Sequence, residues 1–270
     1  MKKQIRNKHV LVLGSGFNSK IHKDKILKFI QDNKVVTFGC NHITNILIPD
    51  YHFHGSKKRW AKYGQFVSKK SILVISIHLP EKMIRKYWKG PIKKFKIRDR
   101  IWRFGSDNSN SKEFKRCQVY YKGGKMFGCF RDVGSCAIFW AYIQGASKIS
   151  IVGFDGYTMF PEKQLKKKKV SQHCYGEGFT DGTSYLYSRK KDWDKYKTLK
   201  LLYKYGKKRW GFGFEIITPT VYEEFYNPSI LKIKKDPNFQ KWEEPTKKEY
   251  YNLYFTCMKD KDKNIKNFIY

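Results

Sequence analysis

The stretch His9-Val10-Leu11-Val12-Leu13-Gly14-Ser15-Gly16 decides the fold. Five consecutive residues rich in branched aliphatics, closed by glycines, read as a strand buried on both faces that runs straight into a tight turn. A strand of that kind belongs to a parallel sheet covered by helices on each side. Working outward, short β-rich runs alternate with helical patterns. Strands are predicted at Val35–Phe38, Pro49–Phe53, Ser71–Ile77, Lys148–Val152 and Phe214–Thr218. Helices are predicted at about 23–32, 57–67, from Pro80, at Val133–Gln144 with Gly145 as its closing residue, and at about 192–205. The expected fold class is α/β: a single Rossmann-like domain over residues 1–226, with a mostly parallel sheet, helices on both faces and an irregular lid over about 158–190. From Trp88 to Phe114 the pattern weakens into a basic excursion. Residues 227–270 form a basic and aromatic C-terminal extension, packed on the domain or trailing it, with one helix expected near 247–258.

Composition narrows the classes. With 270 residues, 40% hydrophobic and 17% aromatic, the chain can bury a substantial core. No run reaches the roughly 18 apolar residues of a membrane span. The apolar stretch behind the basic start is about five residues, short of a secretory h-region of about 7–15. Six cysteines (Cys40, Cys117, Cys129, Cys136, Cys174 and Cys257) include no C-x-x-C pair, so free thiols in a reducing cytoplasm are expected, with no metal site. The net charge of +34 concentrates polyanions: nucleic acid, an anionic membrane surface touched from the cytoplasm, or phosphorylated small molecules. Only 10 of the 57 basic residues are arginine, however, and lysine is a solvated point charge, not a planar reader of phosphates and bases. Abundant Lys, Asn, Ile, Phe and Tyr are equally what AT-rich coding produces. Trp60, Trp88, Trp102 and Trp210 sit among lysines, so a nucleic-acid-binding or nucleic-acid-modifying protein that stacks bases is an alternative, against ordinary core packing.

Three strand ends carry chemistry, because ligands of open parallel sheets bind outside the carboxyl ends of the strands. Gly14-Ser15-Gly16-Phe17-Asn18-Ser19 allows close approach of a phosphate to backbone N–H groups, although it is neither G-x-G-x-x-G nor a P-loop. Gly39-Cys40-Asn41-His42 places a carboxamide where it can meet a base or ribose, or simply form a turn. Gly153-Phe154-Asp155-Gly156-Tyr157 follows a helix start at Gly134-Ser135, itself an anion site.

Together these segments resemble the bacterial sialyltransferases of glycosyltransferase family 42 and the related group of MptE-like 6-hydroxymethylpterin diphosphokinases. The block Gly134–Tyr157 carries most of the likeness, with Cys40-Asn41 and Ile216-Ile217-Thr218-Pro219 in support. The resemblance implies a transferase that takes a sugar from a nucleotide-activated donor, cytidine monophosphate-linked in the sialyltransferases, and passes it to a hydroxyl acceptor. It implies a donor site at Ser15, Gly16, Asn18, Asn41, Gly134 and Ser135, beside which the strand-end reading places Gly14, Gly153 and Asp155 as ligand-binding candidates, with Tyr157 assisting the departing phosphate. No metal is required for that chemistry. The diphosphokinase alternative implies Mg²⁺ and ATP, with Asp155 and Asp132 on the metal. The sequence departs from the family in the lid. His173-Cys174-Tyr175-Gly176-Glu177 stands where a histidine base is usual, which leaves His173 and Glu177 both as candidate bases. It departs again at His54-Gly55-Ser56, where the family shows Asn-Pro-Ser.

Overall fold

In the computed structural model the described residues are 5–97, 120–122, 125–128, 132–166, 171–176, 185–236 and 239. Nine strands make one sheet: β1 His9–Leu13, β2 Val36–Cys40, β3 Tyr51–His54, β4 Ile72–Ser76, β5 Ile92–Ile97, β6 Tyr120–Lys122, β7 Lys125–Gly128, β8 Lys148–Val152 and β9 Glu215–Ile216. Their spatial order is β6-β7-β5-β4-β3-β2-β1-β8-β9, all parallel except β6, which pairs antiparallel with β7. The chain lays strands outward from β1 as far as β7, then returns to add β8 on the other flank of β1. The direction of winding therefore reverses between β1 and β8, and that is the topological switch point.

Helices cover both faces, as expected. They are α1 Asn18–Ile21, α2 Lys23–Asn33, α3 Lys57–Tyr63, α4 Glu81–Arg85, α5 Val133–Ile143, α6 Glu162–Lys166 and α7 Tyr185–Trp210. The period of two in β1 sorts its side chains between two cores: Val10 and Val12 pack with α5, Leu11 and Leu13 with α2. Further along the sheet Leu73 and Ile75 join Trp60, Ile84 and Trp88 under α3 and α4. Helix α5 is apolar all round, with every residue from Val133 to Tyr142 buried. That pattern needs cover on two sides, and the sheet and α7 provide it. Asp132 caps its start, accepting the Ser135 N–H at 2.9 Å. Gly145, at φ +78°, ends it with Gly145 N–H to Tyr142 C=O and Ala146 N–H to Ala141 C=O, the paired bonds of a Schellman close.

The structure corrects several boundaries. The excursion after Trp88 contains β5, whose Ile-Lys-Lys-Phe-Lys-Ile sequence conceals strand alternation under three lysines. The lid is less irregular than expected, since α6 lies within it and α7 begins at Tyr185, seven residues ahead of Asp192. Strand β9 stops at Ile216 because the Thr218 hydroxyl is turned to the Gly153 N–H at 2.9 Å and Pro219 has no N–H to give. After residue 226 the chain stays on the domain: Asn227 N–H bonds the Ile216 carbonyl at 2.8 Å, and Leu231 and Ile233 are buried in the α2-side core. The helix expected near 247–258 lies outside the described residues. Cys40, Cys136 and Cys174 are buried free thiols. Among the described residues no helix is long and apolar enough to cross a membrane.

Candidate active site at the switch point

The turn after β1 is bolted to the end of β8. Gly14 N–H donates to Val152 C=O at 2.8 Å and Gly16 N–H to Gly153 C=O at 2.9 Å. The two backbones approach so closely that a Cβ on Gly16 would lie 2.5 Å from the Gly153 oxygen and 2.6 Å from the Asp155 carboxylate. Asp155 Oδ2 accepts the Asn18 N–H at 2.8 Å, which fixes the start of α1. From the other side the lid is strapped on: Cys174 N–H donates to Ser15 C=O at 2.9 Å, and His173 Nδ1 lies 3.3 Å from the same oxygen.

Around this junction lies a cleft of about 420 Å³, open at the carboxyl ends of β1, β2 and β8. Gly14, Ser15, Gly16, Asn41, Gly134, Gly153, Asp155, Tyr157 and His173 all line it, so nine residues singled out from scattered sequence segments converge on one space. Two others do not. Asn18 is fully buried behind the turn, its amide donating to Pro219 C=O at 2.8 Å and lying 3.2 Å from the Met159 sulfur; it braces the loop. Ser135 gives both its N–H and its hydroxyl to Asp132, each at 2.9 Å, and completes the helix cap. Glu177 lies outside the described residues.

Sequence reasoning missed Arg59, Gln172 and Lys195, which also line the cleft. Arg59 stands in the run Lys57-Lys58-Arg59 and Lys195 on the lysine-rich α7, where nothing distinguishes a cleft lysine from a solvated one. The Lys195 ammonium sits 3.9 Å over the Phe154 ring, and no carboxylate among the described residues forms an ion pair with it or with Arg59. Lys191 is desolvated beside Arg59, which brings its ammonium down to about 8. The cleft lining therefore carries two cationic side chains, Arg59 and Lys195.

Asn41 takes the left-handed conformation, φ +57°, with its carbonyl accepting the His52 Nε2 hydrogen at 2.5 Å. Its side-chain oxygen is buried without a protein partner, as is Asp155 Oδ1. Burial raises the Asp155 carboxyl to about 7, against the pull of the Asn18 hydrogen bonds and Lys195. Burial also pushes the Tyr157 phenol up, so it stays protonated and can donate. His173 behaves differently from the expected base. Burial first, then Arg59, lowers it to about 3, and Arg59 Nη2 donates to its Nε2 at 3.1 Å. Its lone pair is engaged and its proton is on Nδ1, facing Ser15.

Asp132 and Asp155 both line the cleft; Ser135 donates to each Asp132 oxygen and the Asn18 N–H to Asp155 Oδ2, which leaves Asp155 Oδ1 without a protein partner. Among the described residues no group of three His, Cys, Asp or Glu side chains is placed to hold a metal. Trp60 and Trp88 are buried core residues, and Trp210 stacks on Tyr142 at 5.0 Å, so these rings are already packed within the protein. Trp102 lies outside the described residues.

The buried histidines carry a pH prediction. His52 is lowered to about 4 by burial, His54 well below 6.5 by burial and His52, and His173 to about 3. Each folded value lies below the unfolded one, so the unfolded chain binds more protons and stability, complete above pH 6.5, is lost as pH falls toward 4. Partly exposed His9 acts in the same direction. Asp155 and Asp192, both raised by burial, oppose this over the same interval. The histidines outnumber them, so unfolding free energy from urea titrations should fall between pH 6.5 and 4.5 with a slope near 1.4 kcal/mol per pH unit for each net proton. A flat or rising profile toward acid would contradict the neutral buried histidines.

The chain matches no family model and no curated protein.

Proposed function

We propose that the protein is a transferase that moves a sugar from a nucleotide-activated donor to a hydroxyl acceptor, with a nucleoside monophosphate as leaving group. The observation that carries this reading is the convergence, on one cleft at the switch point, of the Gly14–Gly16 backbone, the N-terminus of α5 and the Lys195 ammonium. Backbone N–H groups at a helix start favour phosphate, and a cation in a desolvated cleft stabilises the charge that grows on a departing phosphate. The cleft volume suits a mononucleotide and a small attached group.

In this reading the phosphate lies against the Ser15 and Gly134 N–H groups, the Gly14 and Gly16 N–H groups being held by the Val152 and Gly153 carbonyls, and the unpartnered Asn41 oxygen accepts from a base amine or ribose hydroxyl. The acceptor oxygen attacks the sugar carbon; the bond from that carbon to the phosphate oxygen breaks, and its electron pair leaves with the nucleotide. Tyr157, a protonated phenol, donates to the leaving phosphate. The acceptor's proton goes to a carboxylate. Asp155, with a free Oδ1 and a pKa of about 7, has the chemistry for this among the described residues. His173 does not, because its lone pair is bound to Arg59. Cytidine monophosphate is the leaving group that the family resemblance favours.

The reading is tested by thermal shift against cytidine, uridine, adenosine and guanosine nucleotides. Cytidine monophosphate or its sugar conjugate should raise the melting temperature, by an amount set by its concentration relative to Kd. Asp155→Asn should keep that shift and lower donor turnover by about 10²–10⁴-fold. No shift with any nucleotide would overturn the reading.

A further inference from the structure

The glycine turn, the α5 N-terminus and Lys195 account for one phosphate, and Arg59 is left over. It enters the cleft from a different wall, on α3 behind β3, two strands from β1. It is also held unusually firmly for an arginine. Its guanidinium lies 5.6 Å over the Tyr175 ring, and its Nη2 donates to His173 Nε2 at 3.1 Å. His173 is fixed in turn by its Nδ1 contact to Ser15 C=O and by stacking on Tyr175 at 5.0 Å and 12°. Meanwhile Arg59 Nη1 is buried with no hydrogen-bond partner.

A guanidinium has two arms in one plane. Here one arm is occupied by a neutral histidine, and the orientation this fixes leaves the other arm with donors to fill. A buried, unmatched donor on a fixed cation is the arrangement that recognises an oxyanion. It also gives the lid histidine a purpose other than catalysis, since an acceptor lone pair at Nε2 is what steers Nη2.

We propose that Arg59, oriented by His173 and Tyr175, is a specificity-determining residue that binds a second anionic group of the ligand. That group is an oxyanion separate from the phosphate at the glycine turn: either the carboxylate of an acidic sugar or a further phosphate. The inference rests on the nucleotide reading above. It adds that the cleft selects ligands by a second negative charge, and that His173 is a positioning residue.

Calorimetry at fixed ionic strength tests this with two matched pairs: cytidine monophosphate against cytidine diphosphate, and CMP-sialic acid against its carboxyl methyl ester. The wild-type protein should bind the more anionic member of one pair about 10–100-fold more tightly, and the pair affected distinguishes carboxylate from phosphate. Arg59→Gln should reduce that ratio to within about threefold, and Arg59→Lys, which keeps charge without the fork, should fall between. A ratio is insensitive to a general loss of fold, and Arg59→Lys carries the test if Arg59→Gln does not fold. A wild-type protein without preference in either pair, or a preference that survives in Arg59→Gln, overturns the inference while the nucleotide site stands. Absence of binding to all four ligands overturns both.

Discussion

Replacing Asp192 by alanine is expected to cost about 3–5 kcal/mol of stability, enough to leave many domains of this size unfolded. Asp192 is fully buried near the start of α7, yet its carboxylate is the shared acceptor for four donors. Oδ1 takes the Tyr157 N–H at 2.7 Å and the Tyr222 hydroxyl at 2.8 Å; Oδ2 takes the Thr158 N–H and hydroxyl, both at 2.7 Å. Alanine strands all four donors in a place water does not reach. Burial raises the pKa of this carboxyl while the four bonds pull it down, so the charge is tolerated because the donors surround it. The consequence reaches the cleft, because the same bonds set the backbone of Tyr157. Asp192→Asn keeps one acceptor oxygen and should lose less. Urea unfolding of both variants measures the difference, and a loss below about 1 kcal/mol in the alanine variant would mean that the donors find other partners.

The second large effect is expected at Gly153, where β8 turns away from the sheet. Its φ is +67°, and a Cβ there would lie 2.0 Å from the Ser19 hydroxyl and 2.5 Å from the Gly14 carbonyl. Left-handed strain of about 1–2 kcal/mol would add to overpacking of about 1–3 kcal/mol. The neighbour that must yield is the Gly14–Ser19 turn itself, so Gly153→Ala should lose about 2–5 kcal/mol and, on the proposed function, at least tenfold in nucleotide affinity together. Stability within about 0.5 kcal/mol of wild type would show that the β1 and β8 ends are less tightly joined than their hydrogen bonds indicate.

How much of this was legible in the sequence depends on which physical signal each part leaves. Strands β1, β2, β4 and β8 are buried on both faces and therefore read as plain apolar runs. Helix α5 reads clearly for the same reason, and Gly145 marks its end because only a left-handed residue closes it. Strand β5 was illegible, since its lysines mask the alternation. The first turns of α7 were hidden because the polar residues Ser188 and Asp192 face inward to hold the lid and the Tyr157 backbone, which inverts the usual pattern.

Within the site, glycines announce close backbone approach, so Gly14, Gly16, Gly134 and Gly153 could be picked from residue type and position. Asn18 and Ser135 looked alike as polar groups beside the same turns, but the Asn18 amide N–H and the Ser135 hydroxyl are given to groups of the protein itself. Arg59 and Lys195 left no trace, because a basic residue in a chain with 57 of them carries no information until the fold places it. The partner of His173 was invisible for a related reason. A lid histidine suits base catalysis until a guanidinium is found on its lone pair.

The most direct test is a crystal structure of the protein with cytidine monophosphate at saturating concentration. The account predicts the phosphate within hydrogen-bonding distance of the Ser15 and Gly134 N–H groups, with the Lys195 ammonium beside it and Asn41 against the ribose or base. Nucleotide density elsewhere, for instance in the basic depression formed by Lys69, Lys70 and Lys89 at the opposite ends of the strands, with an empty switch-point cleft, would contradict it.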